Sequence, residues 1–135
     1  MSRATIILAE DHPPIAEQMR HLLAEAFDVL AVVGHGEALV KAATRLHPDV
    51  VVTDISMPGM DGMQAARELI SERPTLAIVF VTVHDDPALV RKALDIGRGY
   101  VLKASAGEEL VVAVQSVLNG GSFVSPSLGP IDGMS

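Results

Sequence analysis

The chain has 135 residues, enough for one domain with a sizeable core, because about half of them are apolar. A formal net charge of −7 with scattered basic residues argues against a nucleic-acid surface here, since phosphate backbones are held by clustered Lys and Arg. The absence of cysteine excludes disulfides, thiolate chemistry and Cys-based metal sites. No apolar stretch approaches the ~18 residues of a membrane span, and the first apolar run is too short for a signal peptide. The expectation is a cytoplasmic domain with no membrane contact.

In chain order, Thr5–Ala9 reads as a short buried strand. Pro13–Ala26 reads as a helix, with Ile15, Met19, Leu22, Leu23 and Ala26 at helical spacing. Val29–Val33 is a second strand ended by Gly34, and Glu37–Leu46 a second helix stopped before Pro48. Val50–Thr53 is the third strand. Pro58–Gly62 is a turn-rich loop before the helix Met63–Ser71. Ala77–Thr82 is the fourth strand. Asp85 and Asp86 offer an N-cap, and Pro87 suits the first turn of a helix reaching Ile96. Tyr100–Leu102 is the fifth strand, and Glu108–Leu118 the fifth helix, stopped by Gly120-Gly121.

Strands alternating with helices predict an α/β fold with a parallel sheet. Short, nearly all-apolar strands fit a sheet covered on both faces, and right-handed crossovers make it doubly wound. The sequence therefore predicts five strands and five helices over residues 1–121. Residues 122–135 offer little to pack and read as a tail or the start of a linker.

The chemistry lies at the strand ends. Glu10 and Asp11 follow the first strand, Asp54 the third, Thr82 ends the fourth and Lys103 follows the fifth. In a parallel sheet these positions share the carboxyl edge, where ligands bind. Three clustered carboxylates repel unless a cation holds them, which points to a hard divalent metal such as Mg²⁺. A carboxylate can attack phosphorus, a lysine can neutralise a phosphate oxygen and a threonine hydroxyl can donate to another. The set fits phosphoryl transfer, which is mostly positioning and charge neutralisation.

These residues carry a family resemblance. Glu10-Asp11, the run Asp54-Ile55-Ser56-Met57-Pro58-Gly59-Met60-Asp61-Gly62, Thr82 and Tyr100-Val101-Leu102-Lys103 resemble a bacterial two-component response-regulator receiver domain. Val83-His84-Asp85-Asp86, Gly120-Gly121-Ser122 and Ser125-Pro126 are similar to the subfamily with LuxR-type helix-turn-helix output domains. The resemblance implies a flavodoxin-like strand order 2-1-3-4-5. It implies Asp54 as phosphoacceptor, with Lys103 pairing with the phosphoryl group. Glu10, Asp11, Asp54 and the backbone carbonyl of Ser56 would hold Mg²⁺. Thr82 would swing toward the phosphate while Tyr100 turns inward, and Ser56 and His84 would tune phosphate lifetime. The implied partners are a sensor histidine kinase, a second copy of the chain after phosphorylation, and DNA only through a C-terminal domain beyond Ser135. Catalysis would be limited to self-phosphorylation and self-dephosphorylation, so the domain is not expected to be an enzyme in its own right.

Two positions depart from the family pattern. Gly97-Arg98-Gly99-Tyr100 is one residue shorter than the usual connection, which bears on where Tyr100 sits. Ala104 follows Lys103 where a cis proline is common, and a cis bond to a non-proline costs ~3–4 kcal/mol, so a trans bond is expected. An alternative is an atypical receiver acting as a phosphorylation-independent dimerisation or adaptor module, but it has no physical need for the full acid-Thr-Lys set. A phosphatase reading lacks a second acid two residues after Asp54. A cofactor binder of this fold would need a Gly-rich loop where Glu10-Asp11-His12-Pro13 stands. The five histidines show no metal spacing and read as surface residues. Met57, Met60 and Met63 read as packing, and Asp61-Gly62 as a structural turn.

Overall fold

A computed structural model describes residues 3–130 of the chain. Strands β1 (Thr5–Ala9), β2 (Asp28–Val33), β3 (Val50–Thr53), β4 (Ala77–Thr82) and β5 (Gly99–Leu102) alternate with five helices. These are α1 (Pro13–Ala24), α2 (Gly36–Leu46), α3 (Gly62–Glu72), α4 (Pro87–Leu94) and α5 (Ala106–Leu118). All pairings are parallel. The predicted order 2-1-3-4-5 is present, with a sixth strand beyond it, β6 (Phe123–Val124), giving 2-1-3-4-5-6.

The sheet divides the core in two, because successive strand side chains point to opposite faces. Ile7, Ala9, Val51, Ile78, Phe80 and Tyr100 pack with α2, α3 and α4. Ile6, Leu8, Val50, Val52, Val79, Val81 and Val101 pack with α1 and α5. All four residues of β3 are buried, as the central strand of a three-layer sandwich must be. Edge strand β2 instead alternates exposed and partly buried residues.

Helix ends follow local chemistry. Asp61 caps α3 in a capping box: its carboxylate accepts from Gln64 N at 2.8 Å, and Gln64 Oε1 accepts from Asp61 N at 3.1 Å. Asp86 caps α4 by accepting from Ala88 N, with Pro87 in the first turn. Helix α1 ends at Ala24, two residues before the predicted stop, and α4 at Leu94 rather than Ile96. Helix α5 starts at Ala106, earlier than predicted, because a 3-10 turn over Lys103–Ser105 leads into it.

The expectation that little packs after Gly121 is corrected for Phe123–Leu128. Phe123 N donates to Arg98 O, and Ser125 N to Tyr100 O, each at 2.9 Å, so the chain adds a strand to β5. Ser125 is buried, and Val124 and Leu128 pack against the core. The remainder of the predicted tail, 131–135, lies outside the described residues.

The short connection before β5 closes without a register error. Gly97 N donates to Ala93 O and Arg98 N to Ile78 O, and Tyr100 pairs opposite Phe80. A Cβ on Gly97 would sit 2.7 Å from Ile78 O, so only glycine allows so direct a turn. Peptide bonds among the described residues, Lys103–Ala104 included, are trans.

Candidate functional site

The carboxyl edge of the sheet gathers Glu10, Asp11, Asp54, Thr82 and Lys103. Glu10 and Asp11 leave β1 without capping α1: that helix has no acid in its first turn and no side-chain cap. They are therefore free for the edge. Glu10 is fixed by its own backbone, which donates to Val33 O at 2.9 Å, and Asp54 by its N–H to Ala9 O at 3.0 Å. These two bonds continue the ladder one residue past the strands and bring both acids to the same level.

Lys103 joins them. Its ammonium donates to Asp54 Oδ2 at 2.7 Å and to Glu10 Oε1 at 2.8 Å. Glu10 and Asp54 are almost wholly buried, and the Lys103 side chain is 12% exposed. Burial pushes the Glu10 carboxyl above its usual range, the Asp54 side chain adds to the rise, and Lys103 opposes it. For Lys103 burial alone would lower the ammonium, but its bonds to Asp54 and Glu10 outweigh this and hold it above its ordinary value. Such a pair is strong where water is excluded, provided the remaining lone pairs find partners.

They do not all find them. Glu10 Oε2 and Asp11 Oδ1 are buried without a hydrogen-bond partner. His12 Nδ1 approaches Glu10 Oε1 at 3.4 Å and Asp11 Oδ1 at 3.2 Å, but its side chain is 65% exposed. Glu10, Asp11 and His12 offer ligand atoms within 4.8 Å of one another. Orphaned, buried carboxylate oxygens are the donor set a hard cation takes. Of the predicted metal-holding acids, Glu10 and Asp11 thus stand together and their chemistry fits a divalent metal, while Asp54 is joined to Glu10 through Lys103. His12, read from the sequence as a surface residue, reaches the rim of the site.

The loop after β3 sets the Asp54 carboxylate. Ile55 N donates to Asp54 Oδ1 at 2.7 Å, and Thr53 Oγ1 to the Asp54 carbonyl at 2.8 Å. Gly62 N donates to Ile55 O at 2.8 Å, closing the loop on itself. At the far end of this loop Glu37 Oε1 accepts from Met60 N at 2.7 Å, and that bond lowers the Glu37 carboxyl.

Thr82 is buried at the end of β4, and its hydroxyl accepts from His84 N at 3.3 Å. Ser56 and His84 meet across the mouth of the site, Oγ to Nε2 at 2.7 Å. Tyr100 is fully buried, its hydroxyl donating to His84 O at 2.8 Å. The ring is thus inward in this structure, the position that the resemblance implies it takes as Thr82 moves. Burial, with the charges of Asp54, Asp85 and Asp86, pushes its phenol well above the usual range.

Sequence reasoning marked Ser125-Pro126 as a subfamily feature but missed what Ser125 holds together. Its N–H donates to Tyr100 O, and its hydroxyl accepts from Leu102 N at 2.9 Å and donates to Glu109 Oε1 at 2.5 Å. The signal available was the apolar pair Phe123-Val124 before Ser125, too short to count as a strand on periodicity.

The sequence matches the response regulator receiver domain family over residues 6–115. It is 32% identical over 130 residues to the transcriptional regulatory protein DegU of Brevibacillus brevis, covering 94% of this chain and 55% of that protein. A LuxR-family two-component response regulator from Aurantimonas sp. SI85-9A1 superposes with a TM-score of 0.89 at 32% identity, covering 94% of this chain and 93% of that one. The structure of two RcsB dimers bound to two parallel DNAs superposes with a TM-score of 0.85 at 28% identity, covering 94% and 66%. The chain thus spans little more than half the length of the curated relative it matches.

Proposed function

The chain belongs to the response regulator receiver domain family, with LuxR-family relatives, and from that premise we propose that it is a phosphorylation-activated signalling switch. Asp54 accepts a phosphoryl group from the phosphohistidine of a sensor kinase. A carboxylate oxygen bonds to phosphorus, the P–N bond breaks, and the imidazole leaves with the electron pair and takes a proton. The observation that carries this reading is the Lys103 ammonium lying against both Asp54 and Glu10 while two neighbouring carboxylate oxygens stay unpartnered.

Glu10, Asp11, Asp54 and the Ser56 carbonyl would hold Mg²⁺, which when bound neutralises charge on the phosphoryl oxygens. Lys103 pairs with a phosphoryl oxygen from the position it now occupies. The Thr82 hydroxyl accepts from His84 N at 3.3 Å, a bond that leaves its own proton for donation to the phosphoryl group. Tyr100 is tied to the same loop through His84 O, so movement of that loop reaches the surface of α4, β5 and α5. Ser56 and His84 close over the mouth and set how long the acyl phosphate lasts.

The output is binding, with no chemistry on an outside substrate. The DegU relative is a transcriptional regulatory protein, and RcsB is described as dimers on DNA. By that likeness the domain dimerises when phosphorylated and controls a DNA-binding domain outside these 135 residues. No helix among the described residues is long and apolar enough to cross a membrane.

The test is intact mass after incubation with Mg²⁺ and acetyl phosphate, beside Asp54→Ala. A single phosphoryl adduct, labile to hydroxylamine and missing from the variant, is expected. No adduct, together with no Mg²⁺ binding, would sink the proposal and leave a phosphorylation-independent interaction module.

A further inference from the structure

The strand that leads to Lys103 also carries the outgoing chain. Phe123 pairs with Gly99 and Val124 with Tyr100 in parallel register. A two-residue strand cannot hold itself by its ladder alone. What fastens it is Ser125, 1% exposed, which makes three bonds at once. Its N–H goes to Tyr100 O, its hydroxyl accepts from Leu102 N and its proton goes to Glu109 in the first turn of α5. The Glu109 carboxylate aims the hydroxyl, because with the proton directed there a lone pair faces Leu102 N. Leu128 N closes the turn onto Ser125 O at 3.0 Å.

The two residues that Ser125 grips on β5 are a predicted switch residue, Tyr100, and the neighbour of Lys103, Leu102. Tyr100 donates its phenol to His84 O in the loop that follows Thr82, and Leu102 immediately precedes Lys103. Val124 and Leu128 pack against the apolar cluster that contains Tyr100. The docked segment, buried Tyr100 and Lys103 on Asp54 coexist in one arrangement and share one short strand.

We propose that Phe123–Leu128 is a strap whose docking on β5 is coupled to the Asp54 site, with Ser125 as the positioning residue that joins them. The proposal rests on the phosphoacceptor reading only for what drives the coupling, since the contacts themselves involve no phosphate. Whatever fixes Lys103 and Tyr100 holds the strap down, and by reciprocity a docked strap favours the competent site. A segment held by so few bonds sits at the low end of local stability, where switching elements are found.

The test is amide hydrogen exchange of the whole 135-residue chain, with intact mass taken on the same samples. In Asp54→Ala, Lys103 loses a partner, and exchange over 122–130 should quicken about fivefold, the factor a net hydrogen bond is worth, while β2 amides stay unchanged. In the wild type, phosphorylation by acetyl phosphate should slow exchange over 122–130 by a similar factor. Ser125→Ala should slow labelling of Asp54 about fivefold with its circular dichroism unaltered. Unchanged strap exchange in Asp54→Ala, or acceleration spread evenly over the sheet, overturns the coupling. Accelerated exchange confined to the strap, with no phosphoryl adduct in the wild type, upholds the coupling and removes the phosphoacceptor reading.

Discussion

Replacing Gly62 by alanine tests how Asp54 is held. Gly62 opens α3, and a Cβ there would lie 1.8 Å from the Asp54 carbonyl oxygen and 2.9 Å from Thr53 Oγ1. Neither neighbour is a flexible chain end: one is backbone, and the other is a hydroxyl already bonded to that same carbonyl. Reaching even a 3.0 Å contact needs about 1.2 Å of separation between α3 and Asp54, and overpacking of this kind costs about 1–3 kcal/mol. The Gly62–Ile55 hydrogen bond would be strained as well, for about 1 kcal/mol, against a gain of up to about 1 kcal/mol in helix propensity. The net loss should be about 2 kcal/mol, which a domain of ordinary stability survives.

The effect on chemistry should be larger than the effect on folding, because a displacement near 1 Å can cost about 10²-fold in rate. Urea unfolding and the initial rate of Asp54 labelling, followed by intact mass, measure the two separately. Gly97→Ala is the matched control. Its Cβ would meet Ile78 O at 2.7 Å, at the opposite edge of the sheet from Asp54. It should lower the urea midpoint and leave labelling of the folded protein unchanged. Wild-type labelling by Gly62→Ala would refute the argument that this contact positions the proposed phosphoacceptor.

Three further outcomes are expected. Mg²⁺ at tenfold excess over its Kd should raise unfolding stability by about 1.4 kcal/mol, and Asp11→Asn should abolish most of that rise; an equal rise in the variant would place the metal elsewhere. Burial raises the Tyr100 phenol in the folded state, so above pH 10 the unfolded chain loses this proton first and stability falls as pH rises. Lys103, also held above its usual value, adds a loss of the same sign at higher pH, so Tyr100→Phe should make the alkaline fall of the urea midpoint shallower without removing it. Parallel curves for the two proteins would contradict the buried-phenol account. Asp61→Ala removes one half of the α3 capping box and should cost about 0.5–2 kcal/mol by urea unfolding, which a wild-type midpoint would exclude.

What was legible in the sequence was whatever repeats with a period or stands at a strand end. The runs Thr5–Ala9, Val50–Thr53 and Ala77–Thr82 match their strands residue for residue, because buried parallel strands need continuous apolar side chains. Helix ends shifted by a residue or two, as at Ala24 and Leu94, and by one even at the side-chain-capped starts Gly36 and Gly62. Lys103 was placeable from its position after β5, but not its simultaneous grip on Glu10, which depends on two strands entering the edge at one level. Phe123-Val124 escaped because two residues carry no period, and their pairing is decided by Ser125 and Glu109 rather than by the strand itself.

The arrangement of charge at the edge favours binding at the expense of folding. One ammonium faces three acids and satisfies oxygens on only two of them. Burying Glu10 raises its carboxyl, which means the folded state holds this charge less readily than water does. By linkage that contribution destabilises the fold as pH rises from the usual carboxylate range through the raised value. A divalent cation would reverse the sign, since the orphaned oxygens of Glu10 and Asp11 gain a partner and the repulsion becomes attraction. Replacing Glu10 by an apolar residue would relieve the cost and discard the site with it. The same unpartnered oxygens therefore carry both the cost to folding and the proposed metal site, and stabilisation by Mg²⁺ should be largest above the raised Glu10 value, where that carboxyl is ionised.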